Sequence, residues 1–304
     1  MNYHFLLISC LLLLGVTACS EEDSLVAEVD TMTNYFAPDP NATDEVSVLR
    51  RAFYTTEKSY LLFTDTLRRE ALGVDFNGDM QYLTETLDMG YTIGNSMSIQ
   101  YKTYTYEYLQ TLAEKEASVT FLKEYVLPHL PVSLRPFSWF PVYSIMDNTT
   151  YANFKALSGQ RSIAVAVGYS VTDLSTEEKE QLASVVLSST LGSAIQSKTK
   201  ELTSFYEVCD GLYSEYFDTS DNPDYDPAIN MQSLKKAGFI VQPSVWGYPI
   251  TGKYPDKTLD TSSFTEFVLN NSQSEVESLY EGYPKVILKA QIMRELIKQL
   301  GYIY

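Results

Sequence analysis

Histidine is almost missing from this 304-residue sequence, which contains only His4 and His129. Because His4 precedes an N-terminal apolar run, the chain beyond that run keeps His129 alone. Counting therefore excludes a zinc site built on two or more histidines there. A Ser-His-Asp mechanism would have to use His129 as its base, and no Gly-x-Ser-x-Gly motif accompanies it. Nucleotide use is unsupported, since no Walker-type or Gly-x-Gly-x-x-Gly loop occurs.

Basic residues are also scarce. Lys and Arg number 22 against 39 Asp and Glu, which gives a formal net charge of −17. Nucleic-acid partners need a basic footprint, and anionic lipid headgroups attract basic segments, so both are disfavoured. The abundance of carboxylates leaves a carboxylate-pair glycosidase open, although no pair is marked by the sequence. The 45% hydrophobic content is that of an ordinary globular protein.

Residues 1–18 are predicted to be a lipoprotein signal peptide. The apolar run over 5–16 is too short to cross a bilayer, which takes about 20 residues. The following Val16-Thr17-Ala18-Cys19 resembles the bacterial lipobox, in which cleavage occurs just before the cysteine. That resemblance implies that Cys19 becomes the lipidated N-terminus. The segment before the apolar run has no Lys or Arg, and the alternative is an uncleaved anchor helix.

Residues 19–40 are predicted to be a lipidated acidic tether. Ser20-Glu21-Glu22-Asp23 resembles the surface-export signal of lipoproteins from glycan-degrading gut anaerobes. The resemblance implies an outer-membrane lipoprotein exposed at the cell surface. The alternatives are a merely solvated linker and a periplasm-facing protein. Low apolar content favours flexibility up to the proline-containing segment Ala37-Pro38-Asp39-Pro40.

Cysteine is scarce as well, with three in the whole sequence. Cys10 leaves with the signal peptide and Cys19 is acylated, so Cys209 remains without a partner for a disulfide. Its neighbours in Phe205–Cys209 are largely apolar. We therefore expect a buried structural thiol in preference to a nucleophile.

The pattern of helices and strands predicts an α+β fold with a small mixed sheet packed on one long helix. A Ser175/Glu178 capping box begins that helix, which should run from Thr176 to about Ser197. Further capping boxes are predicted at Ser263/Glu266 and Ser274/Glu277. The other predicted helices are Asp44–Phe53, Phe121–Leu127 (ending at Pro128) and Lys285–Leu300, and the predicted strands are Ser59–Phe63, Phe140–Met146 and Ile163–Val167.

Three polar or aromatic clusters have both a structural and a functional interpretation. Asp75–Asp79 fails the EF-hand spacing and is better explained as a turn. A loop with several aspartates is either solvated or a weak calcium site. A group of tyrosines is either core or a surface that stacks on sugar rings. The loop aspartates are Asp218, Asp221, Asp224 and Asp226, and the tyrosines are Tyr101, Tyr104, Tyr106 and Tyr108.

Several dispersed landmarks resemble a family of lipoproteins, the substrate-import-associated zinc metallohydrolases or zinc-binding metallopeptidases. The resemblance covers roughly residues 44–300 and implies a zincin-like layout with a C-terminal helical lobe. It also implies importer proteins of the starch-utilisation type as partners. The landmarks are Leu130-Pro131 before a strand near Pro141, the Ile163–Val167 strand, Lys198, Ala237-Gly238-Phe239 and Lys289.

The functional motif of that family is absent. Its His-Glu-x-x-His helix would align with the long helix here, where Ser189 and Ser193 replace the histidines and Thr190 replaces the glutamate. Ser262 replaces the candidate third ligand. Serine hydroxyls are poor zinc donors at neutral pH, so the resemblance implies a degenerate member without catalytic residues, metal or cofactor.

The sequence therefore predicts a metallopeptidase-like domain over residues 41–304, with two lobes divided near residue 198. We expect a non-catalytic binding or accessory component of a nutrient import system, with a peptide or glycan ligand. One alternative is an active hydrolase that uses carboxylates or an unrecognised site. The other is a structural importer subunit without a ligand.

Overall fold

The computed structural model describes residues 33–89, 103–168, 171–220, 226–245 and 247–304. One compact unit spans Phe36–Tyr304. Within the described part, no helix has the length and apolar character needed to cross a bilayer. Cys19, Tyr101, Asp221 and Asp224, which the sequence marks as candidates, lie outside the described residues.

Helices form the larger share of the fold. The helices, numbered in chain order, are α1 (Glu45–Glu57), α2 (Leu112–Phe121), α3 (Thr176–Gln196), α4 (Thr199–Glu207), α5 (Pro227–Ala237), α6 (Lys257–Asn270), α7 (Gln273–Leu279) and α8 (Pro284–Gln299). A π turn over Leu122–Val126 and 3-10 turns over Leu127–His129 and Val132–Leu134 follow α2.

The strands are short. They are β1 (Tyr60–Leu61), β2 (Thr66–Val74), β3 (Met80–Thr86), β4 (Tyr104–Glu107), β5 (Ser138–Val142), β6 (Ser144–Asp147), β7 (Asn153–Phe154), β8 (Ala156–Ser158), β9 (Ser162–Ala166), β10 (Ser244–Val245) and β11 (Tyr248–Pro249). The main sheet has the order β1-β5-β9-β8, parallel except for the antiparallel β8–β9 pair. The remaining strands form the β4-β6-β7 sheet and the hairpins β2–β3 and β10–β11.

The two central strands of the main sheet are buried on both faces. All five positions of β5 and of β9 are buried. Trp139 and Val165 face a large cluster shared with the helices, while the alternate residues Phe140 and Ala164 face a second cluster. Such two-sided burial explains why the Ile163–Val167 stretch is continuously apolar. The helix-side cluster includes residues on both sides of residue 198, such as Ile195 and Leu202.

The α+β class predicted from the sequence is confirmed, and α3 packs against β8, β9 and α6. The Ser175/Glu178 capping box is present, since Glu178 N donates to Ser175 Oγ and Ser175 N donates to Glu178 Oε2. The turn at Asp75–Asp79 is confirmed as the end of the β2–β3 hairpin, where Asp75 Oδ1 accepts from the backbone of Asn77 and Asp79.

Two predicted capping boxes are wrong. Ser263 lies inside α6, which begins at an Asp256 cap, and its Oγ donates to the carbonyl of Leu259. The segment between Asp256 and Ser263 has no Gly or Pro to delay the helix, so the earlier cap prevails. The box that caps α7 is formed by Ser272 and Glu275 instead of Ser274 and Glu277.

Two element boundaries also differ from the prediction. The strand predicted over Phe140–Met146 is two strands separated at Tyr143, which belong to different sheets. The helix predicted over Phe121–Leu127 begins at Leu112, and a 3-10 turn carries it through Pro128 to His129. Pro is tolerated there because it occupies the first turn of that 3-10 segment.

The tyrosines that the structure describes take their structural interpretation, whereas the aspartate loop is described only at Asp218 and Asp226. Tyr104, Tyr106 and Tyr108 pack against the second core cluster. Asp226 caps α5 through the backbone N–H of Ala228, and Asp218 accepts from the backbone N–H of Ser220. In the described ranges, no group of three or more His, Cys, Asp or Glu side chains is arranged to hold a metal.

Candidate binding cleft

A cleft of about 400 Å³ lies between the end of the π turn, the N-terminal half of α3, the end of α6 and the C-terminal tail. We call it the His129 cleft. Its polar and aromatic lining is Glu124, Tyr125, His129, Glu180, Ser184, Asn270 and Tyr302, and Ala183, Leu187 and Leu269 complete it. Such a mixture of apolar surface with a few convergent polar groups is the usual composition of a small-ligand site.

Local backbone geometry explains how the first wall of the cleft forms. A Thr111/Glu114 capping box begins α2, and the chain then widens into the π turn that carries Glu124 and Tyr125. Isolated π turns are rare and concentrate at functional sites. Phe121 stacks on Tyr125 with ring centroids 5.8 Å apart, which positions the tyrosine at the wall.

His129 is oriented by the C-terminal tail. Its ring stacks on Tyr302, and its Nδ1 lies 2.7 Å from the Ile303 carbonyl oxygen. Because that oxygen is only an acceptor, Nδ1 carries the proton, and in the neutral ring Nε2 keeps its lone pair. Burial raises the pKa of Tyr302, with a smaller contribution from Tyr304, so the phenol stays neutral. His129 is the last residue of the 3-10 turn Leu127–His129.

The polar side chains of the cleft differ in how far they are exposed to a ligand. Ser184 is 5% exposed, and its Oγ has no hydrogen-bond partner among the residues that the structure describes. Buried hydroxyls normally have a partner, and because this oxygen is itself buried it is not open to a ligand in the cleft. Glu124 and Glu180 are exposed at the rim, where their carboxylates can accept hydrogen bonds from hydroxyl or amide donors.

The positions that replace the family motif lie elsewhere in the fold. Ser189, Thr190 and Ser193 lie in the C-terminal half of α3, and Ser262 lies in α6. Thr190 Oγ1 donates to the Val186 carbonyl and Ser262 Oγ to the Leu259 carbonyl, so both hydroxyls are satisfied within their own helices. Since hydroxyls of this kind are poor zinc donors, these positions do not fit the zinc of the family that the chain resembles.

Two landmarks of the resemblance are brought together at a second polar centre. Lys289 of α8 and Gly238, at the end of α5, meet around Asp260 of α6, and Lys289 Nζ lies 3.1 Å from the Gly238 carbonyl. Sequence reasoning singled out Lys289 and Gly238 but missed Asp260. The sequence contains one signal for this buried centre. Lys289 lies three residues after Val286 and four before Met293, which puts a cation on the apolar face of α8.

The chain matches no family model, no curated protein and no solved structure. A functional assignment must therefore rest on the geometry of its cleft and of its buried centre.

Proposed function

We propose that this protein is a non-catalytic glycan-binding lipoprotein that serves as an accessory component of a nutrient import system at the outer membrane. Cys19 would carry the lipid, the acidic tether would lead outward, and importer proteins of the starch-utilisation type would be the partners. The packing of α3 against β8 and β9 supports the zincin-like layout that the resemblance implies. The observation that carries the proposal is the composition of the His129 cleft.

A sugar ring needs a flat apolar surface for its C–H groups and acceptors for its hydroxyls. Tyr125 offers aromatic surface, and Glu124, Glu180 and Asn270 offer polar groups at the same cleft. A peptide would need an apolar pocket for a side chain or an open strand edge, and the polar rim of this cleft favours hydroxyl-rich ligands.

The proposal is tested by calorimetric titration of the full-length lipoprotein in detergent with soluble oligosaccharides of defined linkage. We expect binding without release of reducing ends, and at least a tenfold weaker affinity after combining Glu124→Gln with Glu180→Gln. Glu116→Gln combined with Glu177→Gln is the matched control, since it also removes two carboxylates from exposed positions outside the cleft. Equal affinity for the double variant and the control would contradict the assignment.

A second candidate is a hydrolase that uses Glu124 and Glu180, because both carboxylates line one cleft. Glycosidases act through such a pair. Under this alternative, reducing ends appear in the same titration, the release survives a chelator, and either single Glu→Gln change abolishes it.

A further inference from the structure

Lys289 and Asp260 form a closely packed pair in the centre of the C-terminal helices. Both residues are fully buried, and Lys289 Nζ lies 2.5 Å from Asp260 Oδ2. The two residues belong to different helices, α8 and α6, and are separated by 29 positions along the chain. The amine therefore lies next to the carboxyl carbon, in an environment without bulk water.

The surroundings of the pair are aromatic and oriented. The rings of Phe205, Phe239 and Phe264 lie 4.5, 4.7 and 4.5 Å from Lys289 Nζ. Tyr213 O–H donates to Asp260 Oδ2 across 2.9 Å. The other carboxyl oxygen, Oδ1, is buried without a hydrogen-bond partner in the described part of the chain.

We propose that Lys289 and Asp260 condense to an intramolecular isopeptide bond. In the balanced step the ammonium transfers one proton to the carboxylate, and the amine lone pair attacks Asp260 Cγ. A C–N bond forms and the C–Oδ2 bond breaks. Oδ2 leaves as water, with one proton from the ammonium and one from the attacking amine. No oxidant or reductant takes part. Tyr213 assists the departure of Oδ2 as water, since its hydroxyl already donates a hydrogen bond to that atom.

Desolvation shifts the pKa values of both groups toward the neutral reactants. Burial raises the pKa of Asp260 despite the opposing effect of Lys289, and burial lowers the pKa of Lys289 despite the opposing effect of Asp260. Burial also raises the pKa of Tyr213, which keeps its proton available as a hydrogen-bond donor. A neutral amine beside a carboxylic acid is the pair that condensation requires.

The isopeptide bond would supply a covalent cross-link of the kind that disulfides provide in other proteins. Cys209 is the only cysteine of the described residues and is unpaired, so no disulfide is available to them. A covalent link between α6 and α8 constrains the unfolded chain as a disulfide does, and it is insensitive to reduction. The anhydrous aromatic surroundings would also protect the amide from hydrolysis.

The test is a tryptic peptide map of the denatured full-length chain. Acylation of Lys289 blocks cleavage after it, so the peptide Thr258–Lys285 should appear joined to Val286–Arg294. The joined species should be about 18 Da lighter than the sum of the two, by the loss of one water. Recovery of Thr258–Lys285 and Val286–Lys289 as separate peptides at their sequence masses would overturn the proposal.

Variants separate the proposed chemistry from other links. Lys289→Arg should abolish the joined species, because a guanidinium does not condense under these conditions. Tyr213→Phe keeps the ring and should lower the joined fraction at least tenfold at early times after synthesis. A link gaining about 14 Da and including Cys209, whose Sγ lies 3.7 Å from Lys289 Nζ, would indicate an oxygen-bridged Lys–Cys product and would also overturn the proposal.

Discussion

The ring of His129 lies nearly parallel to that of Tyr302, with centroids 5.5 Å apart and 11° between the planes. Two hydrogen bonds between His129 and Ile303 reinforce the contact. The N–H of Ile303 donates to the His129 carbonyl, and the ring Nδ1 of His129 donates to the Ile303 carbonyl. The last residues of the chain therefore form part of the cleft wall.

Replacing His129 by Phe keeps the stacking but removes the hydrogen bond to the Ile303 carbonyl. We expect the free energy of unfolding to fall by about 1 kcal/mol, the usual net value of one such bond. His129→Ala should cost more, because the ring contact is lost as well. Urea unfolding of the two variants beside the unchanged chain measures both effects. Equal losses for the two variants would mean that the stacking contributes nothing.

Gly238 and Gly78 provide a matched pair for testing the buried centre. Both have positive φ, so Ala at either position costs about 1–2 kcal/mol in backbone strain. At Gly238 the added Cβ would also meet Cys209 Sγ at 2.8 Å and Lys285 Cβ at 3.0 Å, whereas nothing lies within 4 Å at Gly78. We expect Gly238→Ala to cost a further 1–3 kcal/mol or so, from overpacking.

The same urea titrations decide this second prediction. If Gly238→Ala and Gly78→Ala lower the free energy of unfolding equally, the packing around the Gly238 carbonyl is looser than the structure indicates.

The pH dependence of stability should report on the caps of the helices. Hydrogen bonds from Ser47 lower the pKa of Asp44, and those from Ser272 lower the pKa of Glu275. Their unfolded pKa values are about 3.9 and 4.3. The pKa values of both carboxyls are lower in the folded chain than in the unfolded chain. The stabilisation by the two caps is therefore complete above the unfolded pKa values and is lost as the pH falls through the folded ones.

A variant with Asp44→Asn and Glu275→Gln should therefore lose less stability than the unchanged chain between pH 6 and pH 3. The urea midpoint measured across that range checks the prediction. Glu116→Gln, an exposed position that caps nothing, is the control and should follow the unchanged chain. If the urea midpoint falls equally with pH in all three proteins, protonation of Asp44 and Glu275 does not contribute to the pH dependence of stability.

Local sequence signals predicted a large part of the fold because they act over a few residues. The Ser175/Glu178 box and the apolar period of α8 each depend on neighbours within one or two turns. The Ser263/Glu266 box failed for the same reason, since an S-x-x-E pattern also occurs inside a helix that an earlier Asp256 had already begun. Local patterns identify candidate helix starts, but they do not decide which of two competing starts the chain uses.

The two polar sites depend on contacts that no local pattern carries. His129 meets Ile303 across 174 positions, and Lys289 meets Asp260 across 29. No local sequence pattern marks Asp260 as a site residue. It becomes a candidate only because the fold buries it beside Lys289. Sequence reasoning was drawn to positions 189, 190 and 193 by the resemblance, while the cleft uses Glu180 and Ser184 from the preceding turns of α3.

The resemblance to zinc metallohydrolases itself makes a prediction about restored ligands. The chain as it stands should bind zinc weakly or not at all, because its serines do not coordinate the ion well. Combining Ser189→His, Thr190→Glu, Ser193→His and Ser262→Glu would rebuild the motif on α3 with a third ligand on α6. Two histidines four apart share one helical face, and three protein donors hold zinc more tightly than two.

The control for this restoration places a histidine pair on α4, by Lys200→His with Ser204→His, where both positions are exposed and no third donor is added. Zinc titration against a competing chelator should give the restored chain at least a tenfold higher affinity than the control. If the two affinities are equal, α3 and α6 do not converge as the family motif requires, and the alignment of Ser262 with the third ligand is wrong. A tight site in the unaltered chain would instead mean that donors other than those four positions bind the metal.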